Sequence, residues 1–304
     1  MSPVRVTATH RRLLYIRAED GREVSARPAR RDLSVVCGDW VRCEFDSHHA
    51  QLNVVAIEPR RNGLYRTNAR GGSELLAANL TQLLVVAAPL PQPDFFVVDR
   101  YLCAAQCAGI AATVVLNKAE LPHGSQIDEE LEVFARLGCG TMQVSANSGD
   151  GIDALKSLLP AHTSMLVGQS GVGKSSLLHA LLPGCEAPIG ELIRDDEGRH
   201  TTSATRLYLL PSGGELLDSP GVRDFAPAID RLEPSALGFA EVAQLAPQCR
   251  FADCRHLREP QCAVSAAVQA SVMSARRYES YRRLRRLYER LLEQRRGSGE
   301  HRQR

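Results

Sequence analysis

The sequence predicts a multidomain fold with an N-terminal β-barrel of the oligonucleotide-binding (OB) type, a central α/β domain built around a phosphate-binding loop, and a C-terminal zinc-binding helical module. Three observations lead to this prediction. Short strand patterns with polar turns come first, alternating strands and helices follow, and a Cys/His cluster with an Arg-rich helix comes last. We expect the three parts to span residues 1–70, 76–225 and 226–304.

The first part shows five short strand patterns, which favours a small OB-type barrel. The predicted strands cover residues 4–8, 12–18, 23–26, 40–45 and 51–57. Trp40 and Tyr15 lie on basic strands, and such aromatic side chains can stack with RNA bases. An equally open interpretation makes Trp40 a core residue and the arginines a solvated face.

The pattern of elements changes near residue 80. Apolar strands alternate with helices, the strands at 83–88, 113–116 and 142–144 and the helices at 97–108, 128–137 and 152–158. This alternation is typical of a doubly wound sheet with helices on both faces. Because ligands bind at the carboxyl ends of the strands in such sheets, polar motifs at those ends are the candidate site residues.

A phosphate-binding loop follows the next apolar strand. Gly168, Gly173, Lys174 and Ser175 fit the pattern G-x-x-x-x-G-K-[ST], and only three of the 37 basic residues in the chain are lysines. Backbone N–H groups of such a loop cradle phosphates, the lysine reaches the β and γ oxygens, and the serine coordinates Mg²⁺. The remaining residues that we expect around the phosphates are Gln169, Ser170, Gly171, Val172 and Ser176.

Two polar motifs follow other strands of this sheet. Asn117, Lys118 and Glu120 come directly after one strand, and a carboxylate there can accept from guanine N1 and N2. Ser145 and Ala146 follow another strand, where a backbone N–H can reach guanine O6. Taken alone, the first motif is equally a plain helix start, but beside a phosphate loop the two motifs together favour a guanine site.

The γ-phosphate side of the site is expected from two further segments. Asp218 ends an apolar strand and can hold Mg²⁺ directly or through water, while the Gly221 N–H can meet the γ-phosphate. Thr202, or else Thr201, lies in the preceding polar stretch and would complete the coordination of the metal.

A metal-binding pattern lies in the C-terminal part of the sequence. Cys249, Cys254, His256 and Cys262 suit one structural, tetrahedral Zn²⁺, the alternative being buried free cysteines. The next helix has one apolar face, and most of its arginines are expected on the others, where they would neutralise RNA phosphates or form a solvated face on the module. The apolar positions are Tyr278, Tyr281, Leu284, Leu287, Tyr288 and Leu291, and the basic ones are Arg282, Arg283, Arg285, Arg286 and Arg290.

Charge and composition indicate a polyanionic partner and a cytoplasmic location. Residues 1–70 carry thirteen arginines against eight acidic residues, and residues 273–304 carry eleven arginines against four, although the net charge is only +2. The sequence contains no run of about 20 apolar residues for a membrane span, and no signal peptide is evident. Nine cysteines without an export signal argue for thiols and a metal rather than disulfides.

The order of the nucleotide motifs resembles one family. Ordinary GTPases run phosphate loop, switch-I Thr, DxxG, NKxD and SA, whereas this chain runs NKAE, SA, phosphate loop, HTT and DSPG. That order, with the barrel before it and the Cys/His cluster after it, resembles the circularly permuted GTPases of the ribosome small subunit-dependent GTPase A family. The resemblance covers nearly the whole chain, including the sequences GDWV at 38–41 and DRYL at 99–102.

The resemblance implies a GTPase that the small (30S) ribosomal subunit stimulates and that acts late in maturation of that subunit. GTP and GDP would be the substrate and the product, and the protein would bind Mg²⁺ and one Zn²⁺. It would act as a monomer that binds the subunit and its rRNA until GTP is hydrolysed. The resemblance also implies that His200 orients the attacking water, although a solvated loop histidine is the alternative. Lys174 and Thr202 are the other expected catalytic residues.

Two departures from the pattern affect these expectations. Glu120 stands where aspartate is usual, so we expect a weaker preference for guanine. Val222 stands where small GTPases carry the water-positioning glutamine, and because valine cannot orient water we expect slow intrinsic hydrolysis. Because the chain leaves the GTPase domain near Phe225, contacts of the γ-phosphate with Gly221 and Thr202 would set the position of the zinc module. The competing interpretations are a phosphate-loop ATPase or kinase, an RNA-binding module with a vestigial pocket, and a nucleotide-dependent RNA-binding protein without strict guanine specificity.

Overall fold

The computed structural model describes residues 2–10, 13–18, 20–68, 72–183, 205–218 and 226–300. The N-terminal strands are β1 (Val4–His10), β2 (Leu13–Arg17), β3 (Glu23–Pro28), β4 (Trp40–Asp46) and β5 (Gln51–Ile57). They pair in the order β1-β2-β3-β5-β4, and β4 pairs again with β1, so the barrel closes. Alternate residues of these strands, including Val6, Ile16, Val41 and Val54, fill its interior. The predicted OB-type barrel is confirmed.

A hairpin that the sequence did not suggest connects the barrel to the α/β domain. Its strands are β6 (Gly63–Thr67) and β7 (Ser73–Ala78), which pair antiparallel. It packs near the segment after residue 226, since the Thr67 N–H donates to the Ala226 carbonyl. The beginning and the end of the α/β domain therefore meet at this hairpin.

The α/β domain has the predicted doubly wound form. Its elements are β8 (Gln82–Ala87), α1 (Phe95–Ala108), β9 (Ala111–Leu116), α2 (Ser125–Arg136), β10 (Gly140–Gln143), α3 (Ile152–Ser157), β11 (Thr163–Gly168), α4 (Lys174–Leu181), β12 (Thr205–Leu209) and β13 (Glu215–Asp218). The strand order is β10-β9-β8-β11-β13-β12, with β12 antiparallel to its neighbour and the other pairs parallel. Leu83 and Val85 of β8 pack in one apolar cluster and Leu84 and Val86 in another, so both faces are covered.

The barrel and the α/β domain share one continuous sheet. β1 of the barrel pairs antiparallel with β12, placing Ala8 opposite Arg206. Two ion pairs reinforce this junction: Arg5 with Glu215 at 2.8 Å, and Arg206 with Glu23 at 2.8 Å. Trp40 is 44% exposed with the Arg5 guanidinium over its ring, so it is not the core residue that one interpretation made it.

The C-terminal region contains α5 (Ala240–Leu245), α6 (Ala263–Gln269) and α7 (Ala275–Glu300). The apolar face predicted for α7 is confirmed, because Tyr281 and Leu284 are buried in the same cluster as α1. One basic position was assigned wrongly: Arg285 is buried and donates to the carbonyls of Pro234 and Ser235. Among the described residues, none of the helices is long and apolar enough to cross a membrane.

Candidate nucleotide site and metal centre

The phosphate loop joins β11 to α4 at the carboxyl edge of the sheet, between β8 and β13. At Gly168 a Cβ atom would lie 2.1 Å from the Val86 carbonyl oxygen, so only glycine lets the strand turn there. Gly173 precedes the helix with φ of 91°, a left-handed conformation that also favours glycine. Loop N–H groups and the start of α4 are thereby placed together, which is the arrangement that binds phosphate.

Lys174 begins α4 and is buried. In this structure its Nζ atom donates to the carbonyl oxygens of Gly168 at 2.6 Å and Gln169 at 2.5 Å. The ammonium group therefore lies inside the loop, close to where β and γ oxygens are expected. Ser175 and Ser176 follow in the first turn of α4, the former half-buried and the latter exposed.

The predicted base-reading residues are clamped onto the phosphate loop. Asn117 Nδ2 donates to the Val172 carbonyl at 2.9 Å, and Lys118 Nζ donates to the Gly171 carbonyl at 2.7 Å. A Cβ atom at Gly173 would lie 2.3 Å from Asn117 Nδ2, so this glycine is needed for the close approach as well as for its φ angle. The two motifs form one site although about 50 residues separate them in the chain.

The Ser145-Ala146 motif joins the same site. The Ala146 N–H donates to Asn117 Oδ1 at 3.1 Å. Ser145 is buried, and its Oγ accepts from the Ser148 N–H at 2.9 Å, which fixes the loop. The carboxylate of Glu120 lies on an exposed turn immediately after Lys118 and Ala119.

Asp218 is buried at the end of β13, next to the strand that leads into the phosphate loop. This is the position expected of a carboxylate that holds Mg²⁺. The other residues predicted on the γ-phosphate side, Gly221, Thr202 with its alternative Thr201, and His200, lie outside the described residues.

One contact of the loop was not anticipated from the sequence. The Asp94 N–H donates to the side-chain oxygen of Gln169 at 2.9 Å, and the Asp94 carboxylate accepts from the Phe96 N–H at the start of α1. Lys118 also reaches the Leu90 carbonyl at 2.8 Å. The phosphate loop is thus tied to the beginning of α1, a relation for which residues 88–94 carry no recognisable motif.

The predicted zinc ligands come together in space. The ligand atoms of Cys249, Cys254, His256 and Cys262 all lie within 4.8 Å of one another, and His256 Nδ1 is 3.4 Å from Cys249 Sγ. Ligands about 2.3 Å from a tetrahedral Zn²⁺ stand roughly 3.8 Å apart, so the cluster fits this ion. Burial raises the pKa of the Cys254 thiol to about 12, so a bound cation would be needed to hold this side chain as a thiolate. Burial also lowers the pKa of His256, which favours the neutral imidazole that binds metals.

Helix α7 supports the metal-binding loop through two tyrosines. Tyr278 Oη donates to the His256 carbonyl at 2.8 Å, and Tyr281 Oη donates to the Arg255 carbonyl at 2.9 Å. The loop and the helix therefore form one module, as the apolar face of the helix suggested.

A buried ionic cluster joins this module to the α/β domain. Arg277 donates to Asp99 of α1 and, with two nitrogens, to Glu241 of α5. Arg276 also contacts Asp99 and lies 2.6 Å from Glu130 of α2. Burial acts to lower the pKa of Arg277, but the Asp99 and Glu241 carboxylates outweigh it and raise the pKa.

The fold and site define a circularly permuted GTPase, because the strands that carry the base-reading motifs precede the phosphate-loop strand in the chain yet occupy one site with it. A family model described as RsgA GTPase matches residues 57–227. The small ribosomal subunit biogenesis GTPase RsgA of Azotobacter vinelandii is 41% identical over 278 residues, covering 88% of this chain and 80% of that protein. The chain therefore belongs to the RsgA GTPase family and is a GTP hydrolase.

Two solved structures are similar to this chain over nearly its whole length. The crystal structure of YjeQ from Thermotoga maritima matches with a TM-score of 0.73 and 26% identity, covering 96% of this chain and 98% of that one. The crystal structure of YloQ, a circularly permuted GTPase, matches with a TM-score of 0.72 at 22% identity over 95% of each chain, which shows the shared fold. Membership of the GTPase family implies a guanine nucleotide and Mg²⁺.

Proposed function

We propose that this chain is a GTPase of small-subunit biogenesis, stimulated by the small ribosomal subunit and active late in maturation of that subunit. The observation that carries the nucleotide part is the clamp of Asn117 and Lys118 on the phosphate loop. The relatives named small ribosomal subunit biogenesis GTPase support the partner. The chain would bind the subunit and its rRNA with GTP and leave on hydrolysis, as a cytoplasmic monomer with the domain boundaries given above.

Within this proposal each group has a role in positioning or charge stabilisation. Mg²⁺, when bound, would neutralise negative charge on the phosphates. Ser175, Asp218 and Thr202 would hold it, Lys174 would contact the β and γ oxygens, and Gly221 would meet the γ-phosphate. The loop residues 168–176 would surround the phosphates through their N–H groups, and His200 would orient the attacking water.

The base would lie against the other set of residues. Asn117 would meet the base edge, the Lys118 stem would lie along the ring, Glu120 would accept from guanine N1 and N2, and a backbone N–H of the Ser145-Ala146 motif would reach O6. The tetrad Cys249, Cys254, His256 and Cys262 would hold one structural Zn²⁺ and keep the RNA-binding module folded.

Two surfaces support an RNA partner. Arg283, Arg286 and Arg290 of α7 are exposed, and Trp40 with Arg42 lies on the outside of the barrel. Exposed arginines and a stacking aromatic are suited to phosphates and bases respectively. Binding should therefore weaken steeply as salt is raised.

The test is a GTP hydrolysis assay with and without purified small ribosomal subunits, with ATP as the control nucleotide. We expect the subunit to stimulate hydrolysis of GTP but not of ATP. Equal rates of GTP hydrolysis with and without subunits would contradict the proposal. His200→Ala should abolish the stimulation, and Lys174→Ala should abolish turnover. If the protein bound the subunit with equal affinity when loaded with a GTP analogue and when loaded with GDP, nucleotide-dependent binding would be contradicted.

A second candidate is a nucleotide-dependent RNA-binding protein without strict guanine specificity. The observation in its favour is Glu120, which replaces the usual aspartate and is exposed. ATP competing with GTP on equal terms would favour this candidate.

A further inference from the structure

We propose that a cavity at the C-terminal half of α1 is a second nucleotide site, which takes one planar base carrying a phosphate. The cavity has a volume of about 280 Å³ and lies between β6, α1 and the turn at Ile229–Arg231. Its buried apolar lining includes Leu64, Ala104 and Leu232, whereas Arg61 and Arg231 are exposed at its edge. It therefore combines an apolar interior with a cationic opening.

The polar side of the cavity carries a preformed stacking platform. The Arg231 guanidinium lies over the Tyr65 ring, 4.4 Å from the ring centroid. The guanidinium group places a positive charge against the tyrosine ring, and unpaired bases stack on both tyrosine rings and guanidinium groups in RNA-binding proteins. This platform suits a flat, electron-rich ring.

The charge at the opening is not compensated in the part of the chain that the structure describes. The two neighbouring arginines in the chain form ion pairs: Arg60, next to Arg61, pairs with Asp39, and Arg66, next to Tyr65, pairs with Glu74. No described carboxylate forms an ion pair with Arg61 or Arg231. Two guanidinium groups thus remain at one opening, where a phosphate would satisfy both.

The backbone beside this opening is held in place. Asp230, next to Arg231, accepts from the Ser73 hydroxyl of β7 and pairs with Arg295 of α7 at 2.6 Å. The turn that carries Arg231 is therefore fixed between the hairpin and the basic helix. The platform is a built feature rather than an isolated surface side chain.

Size favours a single nucleotide over larger ligands. Pockets for drug-sized molecules span about 300–1,000 Å³, so a cavity of about 280 Å³ suits a ligand at the small end of that range, such as one nucleotide. A free nucleoside monophosphate and an unpaired nucleotide of RNA share this chemistry. The RNA source rests on the function proposed above, whereas the mononucleotide source does not.

The site is separate from the phosphate loop. The loop contacts the beginning of α1 through Asp94, whereas Cys107 at the cavity lies one residue before the end of that helix. At 1.5 Å per residue the two positions are about 20 Å apart. Both sites can therefore be filled at once.

Cys107 provides a direct readout, because its half-buried thiol lines the cavity. The protein, saturated with GDP and Mg²⁺, would be treated with iodoacetamide, and Cys107 modification followed by peptide mass spectrometry. The probes are UMP, AMP, inorganic phosphate and a single-stranded uridine oligoribonucleotide. We expect the nucleotides or the RNA to slow modification of Cys107 at least fivefold while half-buried Cys139 reacts unchanged.

Two variants test the arginine side chains at the opening of the cavity. Arg231→Ala and Arg61→Ala should each remove the protection, with exposed Arg30→Ala as the matched control. Protection by RNA alone would assign the site to an unpaired nucleotide of RNA, and protection by UMP or AMP would assign it to free nucleotides. No protection by any probe, or equal protection by inorganic phosphate, would overturn the proposal. A lack of subunit-stimulated GTP hydrolysis in the unsubstituted protein would contradict the proposed function alone.

Discussion

The Arg277 guanidinium donates to the Asp99 carboxylate over 2.6 Å in the interior of the protein, and so joins the C-terminal helix to α1. Asp99 also pairs with Arg276, and both arginines have further carboxylate partners. Helix α1 begins at the Asp94 contact with the phosphate-loop residue Gln169. One helix therefore touches both the nucleotide site and the module that carries the metal-binding cluster.

Removing the shared carboxylate should strongly destabilise the protein. Asp99→Ala removes the buried carboxylate that both Arg276 and Arg277 contact, so each guanidinium group loses a charge-assisted hydrogen bond inside the protein, and we expect the free energy of unfolding to fall by about 3–5 kcal/mol. Urea denaturation measures the change. The control is Glu279→Ala, which breaks the exposed pair with Arg282 and should cost no more than about 1 kcal/mol. Equal effects of the two substitutions would contradict the role of the cluster.

Gly173→Ala should abolish nucleotide binding. The new Cβ atom would lie 2.3 Å from Asn117 Nδ2, so the clamp between the base-reading motif and the loop must open. Fluorescence titration with a labelled GDP measures the affinity. Gly149→Ala is the matched control, because Gly149 has a similar φ of 89° but no neighbouring atom within 4 Å of the position that a Cβ atom would take. A comparable loss of affinity in both variants would assign the effect to backbone strain instead.

The protein as purified without chelators should contain about one zinc ion per chain, since its three thiols and one imidazole suit Zn²⁺. Cys254→Ser should lose the ion and lower the thermal midpoint, because binding of a structural metal contributes to folding. Elemental analysis by mass spectrometry and calorimetry measure the two effects. Cys139→Ser, which lies outside the cluster, should keep the ion. A zinc-free protein with an unchanged midpoint would show that the cysteines are simply buried thiols.

The nucleotide and metal motifs could be predicted from the sequence because each is a short segment in which residue type determines local geometry. The glycines at 168 and 173 and the lysine at 174 need only the flanking strand and helix. The sheet itself was predictable from continuous apolar runs such as those of β8 and β11. Their assembly into one site followed from the rule that ligands bind at the carboxyl edge of such sheets.

Other features depend on partners far away in the chain. The pairing of β1 with β12 joins backbone groups about 200 residues apart and leaves no side-chain signature. Arg277 and Arg285 look like solvated helix residues, and only the carboxylates and carbonyls facing them explain their burial. The β6–β7 hairpin was missed because its strands are short and mix charged with apolar residues.

Glu120 should determine discrimination for guanine. Its carboxylate follows Lys118, which is fixed to the phosphate loop, so it stands near the predicted base position while remaining exposed. Glu120→Gln replaces one acceptor oxygen with an amide and removes the charge, so hydrogen bonds to guanine N1 and N2 should weaken together. We expect GTP affinity to fall at least about a hundredfold, since hydrogen bonds to charged groups contribute roughly 1.5–3 kcal/mol each.

The same residue offers a substitution in the opposite direction. Glu120→Asp restores the usual carboxylate length and should raise the preference for GTP over ITP, because ITP lacks the N2 amine that the carboxylate would contact. Competition titrations with GTP, ITP and ATP measure the ratios, and Glu129→Gln on the exposed face of α2 is the control. If Glu120→Gln keeps its full preference for GTP over ATP, the base must be recognised by Asn117 and the Ser145-Ala146 motif, and the carboxylate has no part in it.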